Sequence, residues 1–207
     1  MCCAASPARA HRVKRVGHRA PTCYAAKAMS KTRPHGVHPA QHHGGDATTT
    51  LVGVLTVSDT RTLATDTAGD AIVAMLGGAG HELIWRQVVP DEVEAIRRAL
   101  RDAIGASVHA VVITGGTGVS PRDVTPQAVE PLLTRRIPGF GEQLRALSYA
   151  EVGVHGLLSL AFAGVIGTTV VFALPGSPRA CDTAMTALVL PMLPHVVGLA
   201  RPHATTA

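Results

Sequence analysis

The stretch "VVITGGTGVSPRDVTP", residues 111–126, runs from a β-branched segment through a glycine-rich loop to a helix start. Val111, Val112 and Ile113 are apolar at consecutive positions, the pattern of a strand buried on both faces. Such strands belong to parallel sheets covered by helices on both sides. After Thr114, the residues Gly115, Gly116, Thr117 and Gly118 leave a bare backbone, able to take positive φ and to bring N–H groups close to an anion. A helix N-terminus beside the loop adds a favourable dipole. The loop has neither the lysine and spacing of a P-loop nor the GxGxxG order, so neither that class of NTPase nor a dinucleotide-binding domain is indicated. Taken alone, the glycines fit a phosphate cradle and a ligand-free turn equally.

Outward from this stretch, strand and helix alternate. Residues 51–57 form an apolar run, 67–77 have helical spacing, and 81–89 read as a strand. Residues 91–104 place Val93, Ile96, Leu100 and Ile104 on one helical stripe. A strand over 109–114 follows, then helices over 126–133 and 139–150, a strand over 169–174 and a last helix over 178–197. This order predicts an α/β fold, a three-layer sandwich with a mostly parallel sheet between two helical layers. Ligands of such folds sit beyond the carboxyl ends of the strands.

Several polar groups fall at those ends. Asp123 precedes Thr125-Pro126, where threonine is a ready N-cap and proline an apt first helical residue, so Asp123 is free for another role. Asp91, in Val-Pro-Asp-Glu-Val-Glu, fits a ligand-binding role and a helix cap with Glu94 as its capping-box partner equally well. Ser58 and Asp59 end the first strand, where Asp59 can bind ligand or close a turn, and Asp66 reads as a helix cap. Pro175, Gly176 and Ser177 end the last strand and lead into the final helix.

The chain has 207 residues, 46% of them apolar, enough for one sizeable core, and a formal charge of +5. That charge belongs to residues 1–46, which hold eight Lys/Arg against the single acid Asp46. Residues 47–207 hold eleven arginines against thirteen acids. A nucleic-acid partner is therefore not expected of the domain. Residues 1–46 lack apolar periodicity and are predicted to be a disordered basic tail preceding a domain over 47–207. A transit-like sequence, a nucleic-acid arm and a start of translation at Met29 all fit that tail. Its His35, His38, His42 and His43 have no CxxC partner or fixed scaffold and read as solvated polar residues rather than a metal site. Cys181 is the single domain cysteine, which suits a reducing cytoplasm. Residues 156–175 carry no charge over a membrane-spanning length, but Gly164, Gly167 and the β-branched run after them predict a short helix, a turn and a buried strand, with no membrane partner.

The ordered motifs "LTVSDT", "VVPDEVE", "ITGGTGVSPRDVTP", "PGFGEQLRALS" and "PGSPRAC" resemble the MoaB/MogA family of molybdenum cofactor biosynthesis proteins, also present as the G domain of eukaryotic molybdopterin-handling proteins. The resemblance spans about residues 51–200 and implies a molybdopterin-binding-domain fold. It also implies an ATP-dependent adenylylation of molybdopterin that releases pyrophosphate. On the family pattern Asp91 and Asp123 are the catalytic acids, and the resemblance implies them as ligands of Mg²⁺. Ser58, Asp59, Gly115, Gly116, Thr117, Gly118, Arg145, Ser148, Ser159, Pro175, Gly176 and Ser177 contact phosphate or pterin. The resemblance further implies a cytoplasmic homo-oligomer, trimer or hexamer, and a downstream molybdenum insertase as partner. One position departs: Leu160 stands where the family usually has arginine. The loss of that cation admits a second class, a molybdopterin-binding or scaffold paralogue with weak or no turnover.

Overall fold

The computed structural model describes residues 49–201; the expectations for the basic tail lie outside the described residues. Six strands form one sheet in the order β2-β1-β3-β6-β5-β4. The strands are β1 (Leu51–Val57), β2 (Glu82–Val89), β3 (Ala110–Thr114), β4 (Arg135–Arg136), β5 (Phe162–Ile166) and β6 (Thr169–Leu174). The first four in the sheet order are mutually parallel, and at one edge β5 runs antiparallel to both of its neighbours, β6 and β4. β1, β3 and β6 are buried nearly throughout, as strands covered on both faces must be.

The pleat sorts their side chains into two cores. Val54, Val112, Phe172 and Leu174 point to one face, against Ile72 and Leu76 of helix α1 (Thr67–Gly78) and Phe140 and Leu144 of α4 (Pro138–Val152). The same layer receives Cys181 of α5 (Pro178–Ala184) and Leu193 of α6 (Leu190–Ala200). Phe140 and Phe172 stack there at 5.5 Å between ring centroids, tilted by 55°. Leu55, Val57, Val111, Ile113, Val171 and Ala173 point to the other face, where α2 (Val93–Gly105) lays Ile96, Ala99, Leu100 and Ala103 over them. The short α3 (Thr125–Val129) adds Ala128 and Val129 to that layer. The expected three-layer sandwich is thus present.

Four local expectations are corrected. Residues 156–175 do not begin with a helix: a 3₁₀ turn, Gly153–Leu158, leads into β5, which hairpins to β6 through Gly167 at φ +59°. The helix expected over 126–133 is one and a half turns, Thr125–Val129, followed by the 3₁₀ turn Glu130–Leu132. Thr125 is not its cap: it lies inside the helix, fully buried, and its Oγ1 donates to the Gly115 carbonyl at 2.9 Å. Asp91 does not cap α2 either, because Glu92 holds that position without a side-chain bond. The C-terminal helix is interrupted by a widened π turn, Met185–Val189, just before Pro191 and Pro194, whose missing N–H donors break the regular ladder. The whole segment Pro178–Ala200 is long and apolar enough to cross a membrane by composition, but one face is spent on the core described above.

Registers align the ends of the parallel strands on one rim: Val57 pairs with Val89, Thr56 with Thr114, and Thr114 with Leu174. The chain leaves β1 towards β2 on one side and returns to β3 on the other, so a crevice opens between the loops after β1 and β3.

Candidate functional site

Three loops meet in that crevice. The loop after β1 folds on itself: the Ser58 hydroxyl accepts the N–H groups of Thr60 and Arg61, both at 3.3 Å, and Arg61 Nη1 donates to the Thr65 carbonyl at 3.0 Å. It ends at Asp66, which caps α1 by accepting the Gly69 N–H at 2.9 Å. Asp66 is 1% exposed and also accepts from Thr56 Oγ1 at 2.7 Å and Arg86 Nη2 at 3.0 Å. Burial pushes its carboxyl up, but these three donors and the Arg86 charge outweigh burial and hold it below the usual carboxylate range.

The loop after β3 is shaped by two glycines. Gly115 has φ +100° and packs so tightly that a Cβ there would lie 2.2 Å from the Val57 carbonyl oxygen. Gly116 has φ +62°, and a Cβ would meet Thr125 Oγ1 at 2.5 Å and Asp91 Oδ1 at 2.8 Å. Asp91 thus lies directly against the glycine loop. Asp123 closes the same loop by accepting the Ser120 N–H at 3.0 Å, with Oδ2 against the Cα of Gly118. The Asp91 carboxyl is raised above its usual value, first by burial and then by the negative charge of Asp123.

Asp59 ties the loops together. Its Oδ1 accepts the Asp91 N–H at 3.0 Å, and its Oδ2 forms an ion pair with Arg122, the neighbour of Asp123. On the far side, Thr114 Oγ1 and Cys181 Sγ both donate to the Pro175 carbonyl, at 3.0 and 2.9 Å, and Thr117 Oγ1 donates to the Leu174 carbonyl at 3.3 Å. These bonds fix the Pro175–Pro178 turn against the glycine loop, and Gly176 leaves only enough room for it, its would-be Cβ 3.2 Å from Gly115 Cα.

Two clefts result. One, of 220 Å³, is lined by Thr56, Ser58, Arg61, Asp66, Thr67, Asp91, Gly115, Gly116, Asp123 and Gly176. The other, of 360 Å³, is lined by Gly116, Thr117, Gly118, Asp123, His155, Leu158, Ser159, Pro175, Gly176 and Ser177. They share Gly116, Asp123 and Gly176, so the glycine loop and one carboxylate form a common wall. Asp59 lies outside both clefts, in a neighbouring groove with Arg61 and Gln87.

Most residues singled out from sequence therefore come together; Asp59 lies beside the clefts, and Arg145 and Ser148 lie away from them. Arg145 donates to the carbonyls of Ser159 at 3.3 Å and Ala161 at 3.4 Å, bracing the segment before β5. Ser148 packs against Gly156, where a Cβ would lie 2.7 Å from its own. Leu160 is 43% exposed, its N–H bonded to the Thr117 carbonyl at 2.8 Å. Its side chain lines a separate 400 Å³ cavity with Arg136, Arg145 and Phe162, not either cleft. Sequence reasoning missed Arg61, Thr67 and His155. Arg61 directly follows the motif "LTVSDT", and its position depends on how the loop turns back.

Residues 53–195 match the family described as "Probable molybdopterin binding domain". The chain is 45% identical over 146 residues to Molybdenum cofactor biosynthesis protein B of Bacillus subtilis (strain 168), spanning 70% of this chain and 86% of that protein. It is 41% identical over 159 residues to the protein of the same name from Halalkalibacterium halodurans, spanning 76% of this chain and 94% of that protein. A crystal structure of a Molybdenum cofactor biosynthesis protein B superposes with TM-score 0.73 at 39% identity, covering 75% of this chain and 98% of that one. The tungsten cofactor synthesizing protein MoaB from Pyrococcus furiosus superposes with TM-score 0.69 at 37% identity, covering 74% and 98%. With its fold, its rim of glycine loops and its full-domain match in agreement, the chain belongs to the molybdenum cofactor biosynthesis family and to its MoaB branch.

Proposed function

We propose that this protein transfers the adenylyl group of ATP to the terminal phosphate of molybdopterin, releasing pyrophosphate. The observation that carries this reading is the pair of clefts sharing one wall of Gly116, Asp123 and Gly176. A reaction that joins two phosphate-bearing substrates needs two compartments meeting where backbone N–H groups are bare, and this arrangement supports that requirement. A molybdopterin phosphate oxygen forms a bond to the α-phosphorus of ATP, and the bond from that phosphorus to the bridging oxygen of the β-phosphate breaks. Catalysis of such a displacement is mostly positioning and charge neutralisation.

The residues fit a magnesium ion. Besides Asp66, which is engaged by its own three donors, Asp91 and Asp123 face one cleft, Asp91 made less acidic by burial and then by the charge of Asp123, and Mg²⁺ commonly takes one or two carboxylates together with phosphate oxygens. Among the described residues no group of three or more His, Cys, Asp or Glu side chains could hold a metal, which also favours a site completed by substrate over an all-protein cage. Asp91 and Asp123 would hold the ion, and it would supply neutralisation of the phosphate charge. The chain's own part is to hold those carboxylates at a fixed spacing through Asp59 and Ser120. It also presents Gly116 and Gly118 backbone to the phosphates and seats the pterin against Thr117, Ser159 and Ser177.

The same reading carries a homo-oligomer, trimer or hexamer, and a cytoplasmic setting with a molybdenum insertase downstream. Supporting the first, Tyr149, Val152, Val154, Leu157, Leu158 and Leu160 are all exposed along one segment. The test of the reaction is incubation of the purified chain with molybdopterin, ATP and magnesium, followed by mass spectrometry. Adenylylated molybdopterin with stoichiometric pyrophosphate is expected. Bound pterin without product would leave a binding or scaffold paralogue.

A further inference from the structure

We infer that Arg61 is the phosphate-chain ligand of this site; the inference rests on the adenylyl-transfer reading. The carboxylate cleft holds Asp66, Asp91 and Asp123, while a nucleoside triphosphate brings several more negative charges. Some cation of the chain must face that charge. Arg122 is taken up by Asp59, Arg86 by Asp66 and Asp70, and Arg145 by two backbone carbonyls. Leu160 contributes no charge and lines a different cavity.

Arg61 is the arginine that lines the carboxylate cleft, and it also lines the adjoining groove bounded by Asp59, Leu63, Gln87 and Pro90. Its guanidinium makes one bond, to the Thr65 carbonyl, and no carboxylate among the described residues pairs with it. That single bond orients the planar fork and leaves its remaining donors open to an anion. The backbone beneath is fixed by the Ser58 hydroxyl and by the Thr62 N–H donating to Thr65 Oγ1 at 2.9 Å, so the loop itself has little backbone entropy left to lose on binding. Arg61 spans two grooves at the mouth of the cleft. It is therefore placed for the outer phosphates, which leave as pyrophosphate, rather than for the pterin side.

The experiment is calorimetric titration of the full chain with magnesium pyrophosphate and, separately, with magnesium ATP. Arg61→Gln is expected to weaken both by about tenfold or more, the worth of hydrogen bonds to a charged group, with Arg61→Lys keeping part of the affinity. Arg101→Gln, on the exposed side of α2, controls for loss of bulk positive charge and should bind as the unaltered chain does. In the unaltered chain, pyrophosphate should also protect Arg61, and not Arg101, from phenylglyoxal, a readout that needs no variant to fold. Equal pyrophosphate and ATP affinity in Arg61→Gln, or no protection, overturns the assignment. An unaltered chain that binds neither ligand overturns it together with the adenylyl-transfer reading. Arg61-dependent pyrophosphate binding without any adenylylated molybdopterin leaves Arg61 assigned and removes only the reaction.

Discussion

The two ends of the parallel strands are built to opposite rules. At the carboxyl end, charge and backbone are left over: Asp91 and Asp123 repel each other, Arg61 has no carboxylate partner among the described residues, and Gly116 exposes its main chain. At the amino end polar groups are consumed by their neighbours. The Thr50 N–H donates to His81 Nδ1 at 3.4 Å and the Leu51 N–H to His109 Nδ1 at 3.3 Å, while the Thr50 and Leu51 carbonyls accept from Glu82 and His109. The same topology offers loops at both ends. Only one end keeps unspent interaction free energy, and that is where a ligand can gain it.

The sharpest break of this comparison is at Asp123. Asp123→Asn should lower turnover by about a hundredfold or more by removing one of the two charges proposed to hold magnesium, yet barely move the melting temperature, since asparagine can still accept the Ser120 N–H. Asp91→Asn should behave alike, because Asp91 does not cap α2. Near-normal turnover in both would show the carboxyl end to be as closed as the amino end.

Gly116→Val should be a folding variant before it is a binding variant. Positive φ and overlap with Thr125 Oγ1 together cost roughly 2–4 kcal/mol for a β-branched residue, measurable by urea denaturation. Gly139→Ala, where a Cβ meets nothing within 4 Å, should be nearly neutral in the same assay.

Asp59→Ala should be milder again, about a tenfold loss of magnesium-dependent turnover. The ion pair to Arg122 is surface-exposed and of small worth, but the bond from Asp59 to the Asp91 N–H sets the carboxylate spacing. Raised magnesium should recover part of the loss; no recovery would mean that Asp59 does not act through the metal-binding pair.

The smallest effect belongs to the amino end. Burial lowers the pKa of His81, and burial followed by the charge of Arg201 lowers that of His109. The unfolded chain therefore takes up protons first as pH falls. The contribution of these two histidines to stability is complete above about pH 6.5, the ordinary histidine value, and is lost as pH drops through their depressed folded values. The melting temperature should fall by a few degrees between pH 7 and 5, and the double variant His81→Gln, His109→Gln should flatten that slope. An unchanged slope would mean that the imidazoles are not the acceptors closing this end.

The four parallel strands were legible because β1, β3 and β6 carry consecutive apolar, mostly β-branched residues, which few alternatives to a doubly covered strand allow. β5 was not, because Phe162, Ala163 and Gly164 open it without a β-branched residue, only Val165 and Ile166 remain before the turn, and the opening residues borrow their strand character from pairing with β6. β4, two exposed arginines, has no pattern to read. Within the candidate site, Asp91 and the glycines were evenly balanced between ligand-binding and structural readings by residue type, and only the order of the motifs tipped them towards a ligand. Thr125 misled because a Thr-Pro pair signals a cap, whereas here tertiary contact turns its hydroxyl back to Gly115. Arg61 was invisible because nothing local says where its loop returns.

The Cys181 thiol lies directly behind the wall between the two clefts, fully buried and held between Thr114 Oγ1 and the Pro175 carbonyl. Burial pushes its pKa up, against the smaller opposing effect of Thr114, so the thiol is doubly slow to react: shielded and protonated. In a chain with Cys2, Cys3 and Cys23 replaced by serine, the rate of labelling by a small disulfide reagent becomes a clock for how often that wall comes apart. Ligands that clamp the Pro175–Pro178 turn against the glycine loop should stop the clock. Ligands confined to the outer groove should leave it running, giving a kinetic map of which compartment each one occupies.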